Sequence, residues 1–224
     1  MHNYHKPGQL EDCYEEGQGT ELLIVEGESA AKALCRVRSP RWQAILPMQG
    51  KPMNATKATE SELRNNAQFA ALLQAMGTDI GETFAASKCR YERIILLFDP
   101  DADGIHGRIL LLMFFHHWMK PLLDEGCLFD VRAPRWRITS PHFDDSKFLS
   151  TDEQFAQLKS ELNASGTPFE SQRFRGLGSI DAETLARFCT DVETRRLEPL
   201  RSADAEAAIA FFEQMRTIMN PLSP

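Results

Sequence analysis

The chain reads as an α/β protein in which a parallel sheet flanked by helices is followed by a mainly helical C-terminal tail. Three observations predict it. The apolar runs Glu21-Leu22-Leu23-Ile24-Val25 and Ile94-Ile95-Leu96-Leu97-Phe98 are short and unbroken. Such runs suit strands buried on both faces. Each run leads through a polar turn into a stretch of helix formers, and from Trp136 onward the composition changes. Strands alternating with helices imply a parallel sheet covered on both sides.

The elements follow in order. Residues 1–20 are polar, contain Gly8, Gly17 and Gly19, and read as a lead-in linker. After the first strand, Glu26-Gly27-Glu28-Ser29-Ala30 forms a turn, with Gly27 allowing tight backbone geometry and Ser29 placed to cap the helix from Ala31 to Cys35. Gln43 to Pro47 is a short second strand, and Ser61 to Met76 reads as one helix stopped by Gly77. The strand Ile94 to Phe98 meets the turn Asp99-Pro100-Asp101-Ala102-Asp103-Gly104. The apolar helix after it must end by Pro121. Cys127 to Arg132 is a further strand, closed by Pro134.

In the tail, residues 150–163 form a helix started by Ser150 or Thr151, and Asn163 to Pro168 is a turn. Asp181 can cap a helix over Ala182 to Arg196. A last helix from Ser202 carries Ala208, Phe211, Phe212, Met215, Ile218 and Met219 at helical spacing, a stripe suited to a core or a subunit contact. The expected division is a linker over 1–20, an α/β domain over 21–134 and a tail over 135–224.

Composition narrows the function. Apolar content of 42% and charged content of 25% are ordinary for a globular domain. No stretch is apolar and long enough to span a membrane, and the first residues have no secretory character. Five scattered cysteines without a CxxC pair argue against structural zinc and fit a reducing cytoplasm. A net charge of −7 works against strong nucleic-acid binding by the whole surface, so any such contact needs local basic patches, bound cations or a basic partner.

The most informative feature is the acidic turn. Asp99, Asp101 and Asp103 stand where an apolar strand ends, and ligands of such sheets bind beyond the carboxyl ends of the strands. Three crowded carboxylates repel unless a cation joins them, and hard oxygens suit Mg²⁺. A solvated Asp-rich turn is the bland alternative. An EF-hand shares the spacing of its first ligands, yet its last loop position would be Leu110 and a strand, not a helix, precedes the turn. If the first and third of these strands are neighbours, Glu26 joins the same edge.

Glu26-Gly27-Glu28-Ser29-Ala30 together with Asp99-Pro100-Asp101-Ala102-Asp103-Gly104 resembles the TOPRIM domain, a Rossmann-like fold, of type IIA DNA topoisomerase B-type chains (gyrase B and topoisomerase IV B). Pro7 to Cys13 is similar to the segment preceding that domain, Ala44 to Asn54 to the ILPLxGKxLN segment, and Gln172 to Gly178 to RYKGLG in the tail. His106 and Arg108 fall where the family has a His and an Arg.

The resemblance implies Mg²⁺, one or two ions, held by Glu26, Asp99, Asp101 and Asp103, with Glu26 also a general acid or base at the leaving 3′ oxygen. It implies DNA contacts at Lys51, His106, Arg108, Arg173 and Arg175, with His106 either touching phosphate or anchoring its helix. The partners implied are double-stranded DNA and a topoisomerase A-type subunit, which supplies the nucleophilic Tyr. No Tyr here (Tyr4, Tyr14 or Tyr91) has a context suggesting a substitute, and no Walker phosphate loop is present, so ATP hydrolysis is expected elsewhere. A stand-alone TOPRIM nuclease and a non-catalytic regulator docking on an A-type subunit are the alternatives. Pro100, Gln49, Gly107, Arg175 and the pair Ala31-Lys32 depart from the family pattern.

Overall fold

A computed structural model describes residues 9–219, with side chains through 214. The first part of the chain runs β1 (Gly17–Glu26), α1 (Gly27–Cys35), β2 (Gln43–Met48), α2 (Glu60–Asn65), α3 (Ala67–Met76), β3 (Tyr91–Leu97), α4 (Ala102–Trp118), α5 (Pro121–Asp124) and β4 (Leu128–Asp130). The tail continues with β5 (Trp136–Thr139), β6 (Lys147–Leu149), α6 (Asp152–Ala164), β7 (Glu170–Arg173), α7 (Ala182–Leu185), β8 (Glu198–Pro199) and α8 (Ser202–Met219).

The central sheet has the order β2-β1-β3-β4-β8. Its first four strands are parallel and β8 closes the edge antiparallel to β4. Leu22 to Val25 and Ile94 to Leu97 are fully buried, as unbroken apolar strands require. One face packs against α2, α3, α4 and α5 through residues such as Phe69, Leu111 and Phe114. The other packs against α1 (Ala30, Ala31, Leu34) and against Phe174, Leu177, Ile180 and Leu185 of the tail. The tail therefore supplies part of the layer that a parallel sheet needs on its second face.

The strand order places a switch point at the site. The chain steps from β1 to β2 on one side and then crosses to β3 on the other, so a crevice opens beyond the carboxyl ends of β1 and β3.

Several elements differ from expectation. Ser29 lies inside α1 and caps nothing. Glu26 holds the cap position without a side-chain bond, because Gly27 at φ +72° turns the chain directly from strand to helix. The single helix expected over Ser61 to Met76 is two. The Asn66 side chain accepts from the N–H groups of Gln68 (3.0 Å) and Phe69 (3.3 Å) and so starts a new helix. Gly77, left-handed at φ +65°, ends it as expected.

Of the two candidate starters, Thr151 caps α6, with Gln154 returning the bond in a capping box. Asp181 caps α7, but regular helix stops at Leu185, a π-type turn covers Ala186–Thr190, and the rest of the expected span to Arg196 is turn and irregular chain. Helices outweigh strands in the tail, which also contains an antiparallel sheet β6-β5-β7 that its short polar strands did not announce. Of the expected α8 stripe, Ala208 packs against the core while Phe211 is 55% exposed. The side chains of Met215, Ile218 and Met219, and the lead-in residues 1–8 including Tyr4, lie outside the described residues. Among the described residues, no helix is long and apolar enough to cross a membrane.

Candidate metal centre

The switch-point crevice gathers the acidic residues. Val25 and Leu97 are register partners in β1 and β3, so Glu26 and Asp99 follow at one edge of the sheet. Glu26 is half-buried, and its Oε2 is shielded from solvent with no hydrogen-bond partner. Asp99 is also half-buried, and its Oδ1 accepts the Leu177 N–H at 2.8 Å. Asp101 caps α4, its Oδ1 accepting the Gly104 N–H at 2.9 Å. Asp103 is exposed and pairs with Lys51 at 3.1 Å.

Gly104 makes this density possible. A methyl group there would lie 2.1 Å from the Asp99 carbonyl oxygen and 2.9 Å from Glu26 Oε2. Only a bare Cα lets the first turn of α4 sit against both strands' ends. Gly107, a departure from the family pattern, has a related role. A methyl there would lie 3.1 Å from the Phe98 ring.

The electrostatics follow from this crowding. Burial first, then the Asp99, Asp101 and Asp103 carboxylates, push Glu26 above the ordinary glutamate range, against the Asp99 backbone N–H. Burial raises Asp99 too, opposed by the Leu177 N–H and reinforced by Asp101. A buried carboxylate oxygen without a donor, beside like charges, costs free energy in the folded state. Hard oxygen donors in this setting fit Mg²⁺. Among the described residues no three His, Cys, Asp or Glu side chains are arranged to hold a metal ion together; Asp101 caps α4 and Asp103 pairs with Lys51.

The basic residues fall into two groups. Lys51 lines a cleft with Glu26, Gly50, Pro52 and Asp103, next to the acidic turn. His106 is half-buried, with its ring 5.7 Å from that of Phe212 on α8. Burial and the Lys51 ammonium hold its pKa below the usual histidine range, against Asp103. Arg108 lines a second cavity with Asp99, Pro100 and Gly104 and pairs at 3.0 Å with the buried Asp130. Arg175 is exposed beside the Asp99 contact, whereas Arg173 is on β7, 5.8 Å from the Trp136 ring. The Leu177 N–H on Asp99 was not foreseen. Its signal was the Gly176-Leu177-Gly178 tripeptide, where two missing side chains permit close approach of backbone. Tyr91 is buried and donates its hydroxyl to Asp12 at 2.7 Å, while Tyr14 is 83% exposed.

Comparison with known proteins agrees with the fold. The Toprim domain family matches residues 21–132. The DNA gyrase B protein of Thermotoga maritima is 37% identical over 214 residues, which is 95% of this chain and 33% of that protein. The gyrase B protein of Staphylococcus epidermidis is 35% identical over 93% of this chain and 32% of its own length. The Staphylococcus aureus gyrase B protein is 36% identical, with the same coverage. The chain thus spans about a third of the length of the curated relatives it matches. It belongs to the Toprim domain family and is similar, along nearly its whole length, to one region of DNA gyrase B.

Proposed function

We propose that this chain is the Mg²⁺-holding half of a type IIA DNA topoisomerase cleavage–religation centre, acting on double-stranded DNA with an A-type subunit that supplies the nucleophilic Tyr. The observation that carries the reading is the edge of β1 and β3, where Glu26 keeps a buried oxygen without a partner beside three aspartates. Glu26, Asp99 and Asp101 would hold one ion, and Asp101 with Asp103 a second. When bound, Mg²⁺ stabilises negative charge developing on the phosphodiester oxygens.

The chain's own residues do the rest. Glu26, raised in pKa by burial and like charges, would exchange a proton with the 3′ oxygen as the bond breaks and re-forms. Lys51 adjoins the acidic turn, and Arg175 the Asp99 contact, with exposed cations for backbone phosphates. Arg173 offers a further contact on β7. Arg108 pairs with the buried Asp130, which Arg132 also meets at 3.5 Å, so a phosphate contact by Arg108 would compete with that pair, and the His106 ring packs against Phe212 of α8. The proposal takes residues 21–134 as the TOPRIM domain and 135–224 as the tail, places ATP hydrolysis outside these residues, and puts the protein in the cytoplasm. The engagement of Asp101 as a cap and Asp103 with Lys51 favours a second reading, a non-catalytic regulator of an A-type subunit.

Supercoiled-plasmid cleavage in Mg²⁺, with the chain alone and with an A-type subunit, separates the readings. Cleavage only with the partner, leaving protein linked to DNA ends, is expected. Nicking by the lone chain would make it a nuclease, and no cleavage in any combination would favour the regulator.

A further inference from the structure

Asp99 stands at the end of β3, yet its carboxylate is bonded from the tail, 78 residues further along the chain. The Leu177 N–H donates to Oδ1 at 2.8 Å. A methyl group on Gly176 would lie 2.4 Å from Oδ2 and 3.3 Å from Oδ1. Gly176 has φ 175°, an extended conformation open to any residue, so glycine is needed there for space and not for backbone freedom. The loop that makes these contacts is itself held. The Leu177 side chain is fully buried in the core layer on the α1 face. Ser179 Oγ accepts the N–H groups of Arg175 (2.9 Å) and Gly176 (3.3 Å) and donates to the Gly176 carbonyl at 2.7 Å.

We propose that the Gly176-Leu177 peptide is a positioning element for Asp99. One N–H fixes the rotation of the carboxylate, and the bare Gly176 Cα leaves room for its second oxygen. The proposal rests on the metal-holding reading above and adds that the tail sets the ligand geometry. Groups that orient metal ligands typically change metal affinity about 10–100-fold when removed. The predicted substitution is also gentle to the fold. The atom that Gly176→Ala would strike is the free end of the Asp99 side chain, which can swing away. Gly178 provides a control in the same loop, because its methyl would meet Ser29 Oγ at 2.6 Å and not Asp99.

The test is Mn²⁺ binding to the full chain, followed by electron paramagnetic resonance of the free ion. Gly176→Ala should weaken binding about tenfold or more. In an Asp99→Ala background the same change should alter affinity by less than about twofold, because there is no carboxylate left to displace. Gly178→Ala should stay within the same twofold limit. If Asp99→Ala alone leaves Mn²⁺ binding intact, the metal reading of Asp99 fails, and the positioning role with it. If Asp99→Ala weakens binding but Gly176→Ala does not, or if the two losses simply add, the positioning role alone is overturned. Should Gly176→Ala fail to fold, amide exchange at Leu177 decides. Exchange faster in Asp99→Ala than in the parent supports the bond, and unchanged protection overturns it.

Discussion

Two glutamates on one strand have opposite surroundings. Glu21, near the start of the apolar part of β1, is completely buried, and it is surrounded by donors. Its carboxylate pairs with Arg195 of the tail, with Arg93 at 3.1 Å and with the Gln43 amide at 3.0 Å. Gln43 also donates to the Thr190 carbonyl at 3.0 Å, so the cluster ties the tail to the sheet. Glu26, at the other end of the same strand, is less buried, has an oxygen with no donor, and has three aspartates for neighbours. The folded chain pairs Glu21 with two arginines, whereas among the described residues Glu26 forms no ion pair and Lys51, which lines its cleft, pairs with Asp103. A carboxylate held among like charges at a switch point is the feature on which the proposed cation site rests.

Breaking each side of the contrast gives predictions that descend in size. The largest effect should come from Glu26→Gln or Asp101→Asn, which should lower DNA cleavage by the assembled complex at least about 100-fold while the fold persists. Full activity in either variant would remove these residues from the chemistry. Glu21→Ala should instead unfold the protein by denaturant about 3–5 kcal/mol more easily, because it leaves Arg195 buried without its partner. A loss under about 1 kcal/mol would mean that the cluster is no clamp. Gly104→Ala should cost about 1–3 kcal/mol, since its methyl would meet the Asp99 backbone carbonyl, which cannot swing away. Unchanged stability there would mean that α4 can shift away from the strand ends.

The pH dependence of stability should carry both signs. Asp12 is held below its usual 3.8 although burial opposes it, because Tyr91 and Arg90 bond its carboxylate. The stability that it contributes is present above the unfolded value and lost as the pH falls through the lower folded value. Asp12→Asn should flatten that acid limb. Glu26, raised above 4.5, does the reverse. Its protonated form favours the fold, and that contribution is lost as the pH rises through the raised folded value. Urea midpoints from pH 3 to pH 8 in EDTA should show Glu26→Gln reducing the second slope, to which the raised Asp99 and Asp130 also contribute; an unchanged slope would mean that Glu26 is not raised by the fold.

The sequence was legible where one principle dominated. Unbroken apolar runs gave β1 and β3, the Asp-rich turn marked the strand end, and adjacency of β1 and β3 brings Glu26 to that edge. It misled where local and periodic signals disagreed. The apolar spacing continues past Asn66, yet the Asn66 side chain caps a new helix there. Ser29 has the right chemistry for a cap, but Gly27 ends the strand two residues too early for it. Strands such as Glu170–Arg173 are exposed along their length and carry no apolar alternation, so pairing with β5 left no trace in composition. The partners of Arg108 and Lys51 were hidden for a similar reason. Asp130 lies at the end of β4, and which cation pairs with it depends on how the layers meet.

Mg²⁺ held by the carboxylates at the β1–β3 edge is the core of the proposed function. It is tested most directly by thermal unfolding of the parent chain, Glu26→Gln and Asp101→Asn, with and without Mg²⁺. An ion that binds only the folded state at about 100 times its Kd adds about 2.7 kcal/mol, or roughly 5–10 °C in Tm for a chain of this size. The parent should gain this shift and both variants should lose it. Without metal, Glu26→Gln should melt no lower than the parent. Equal Mg²⁺ shifts in all three proteins would contradict the proposed function.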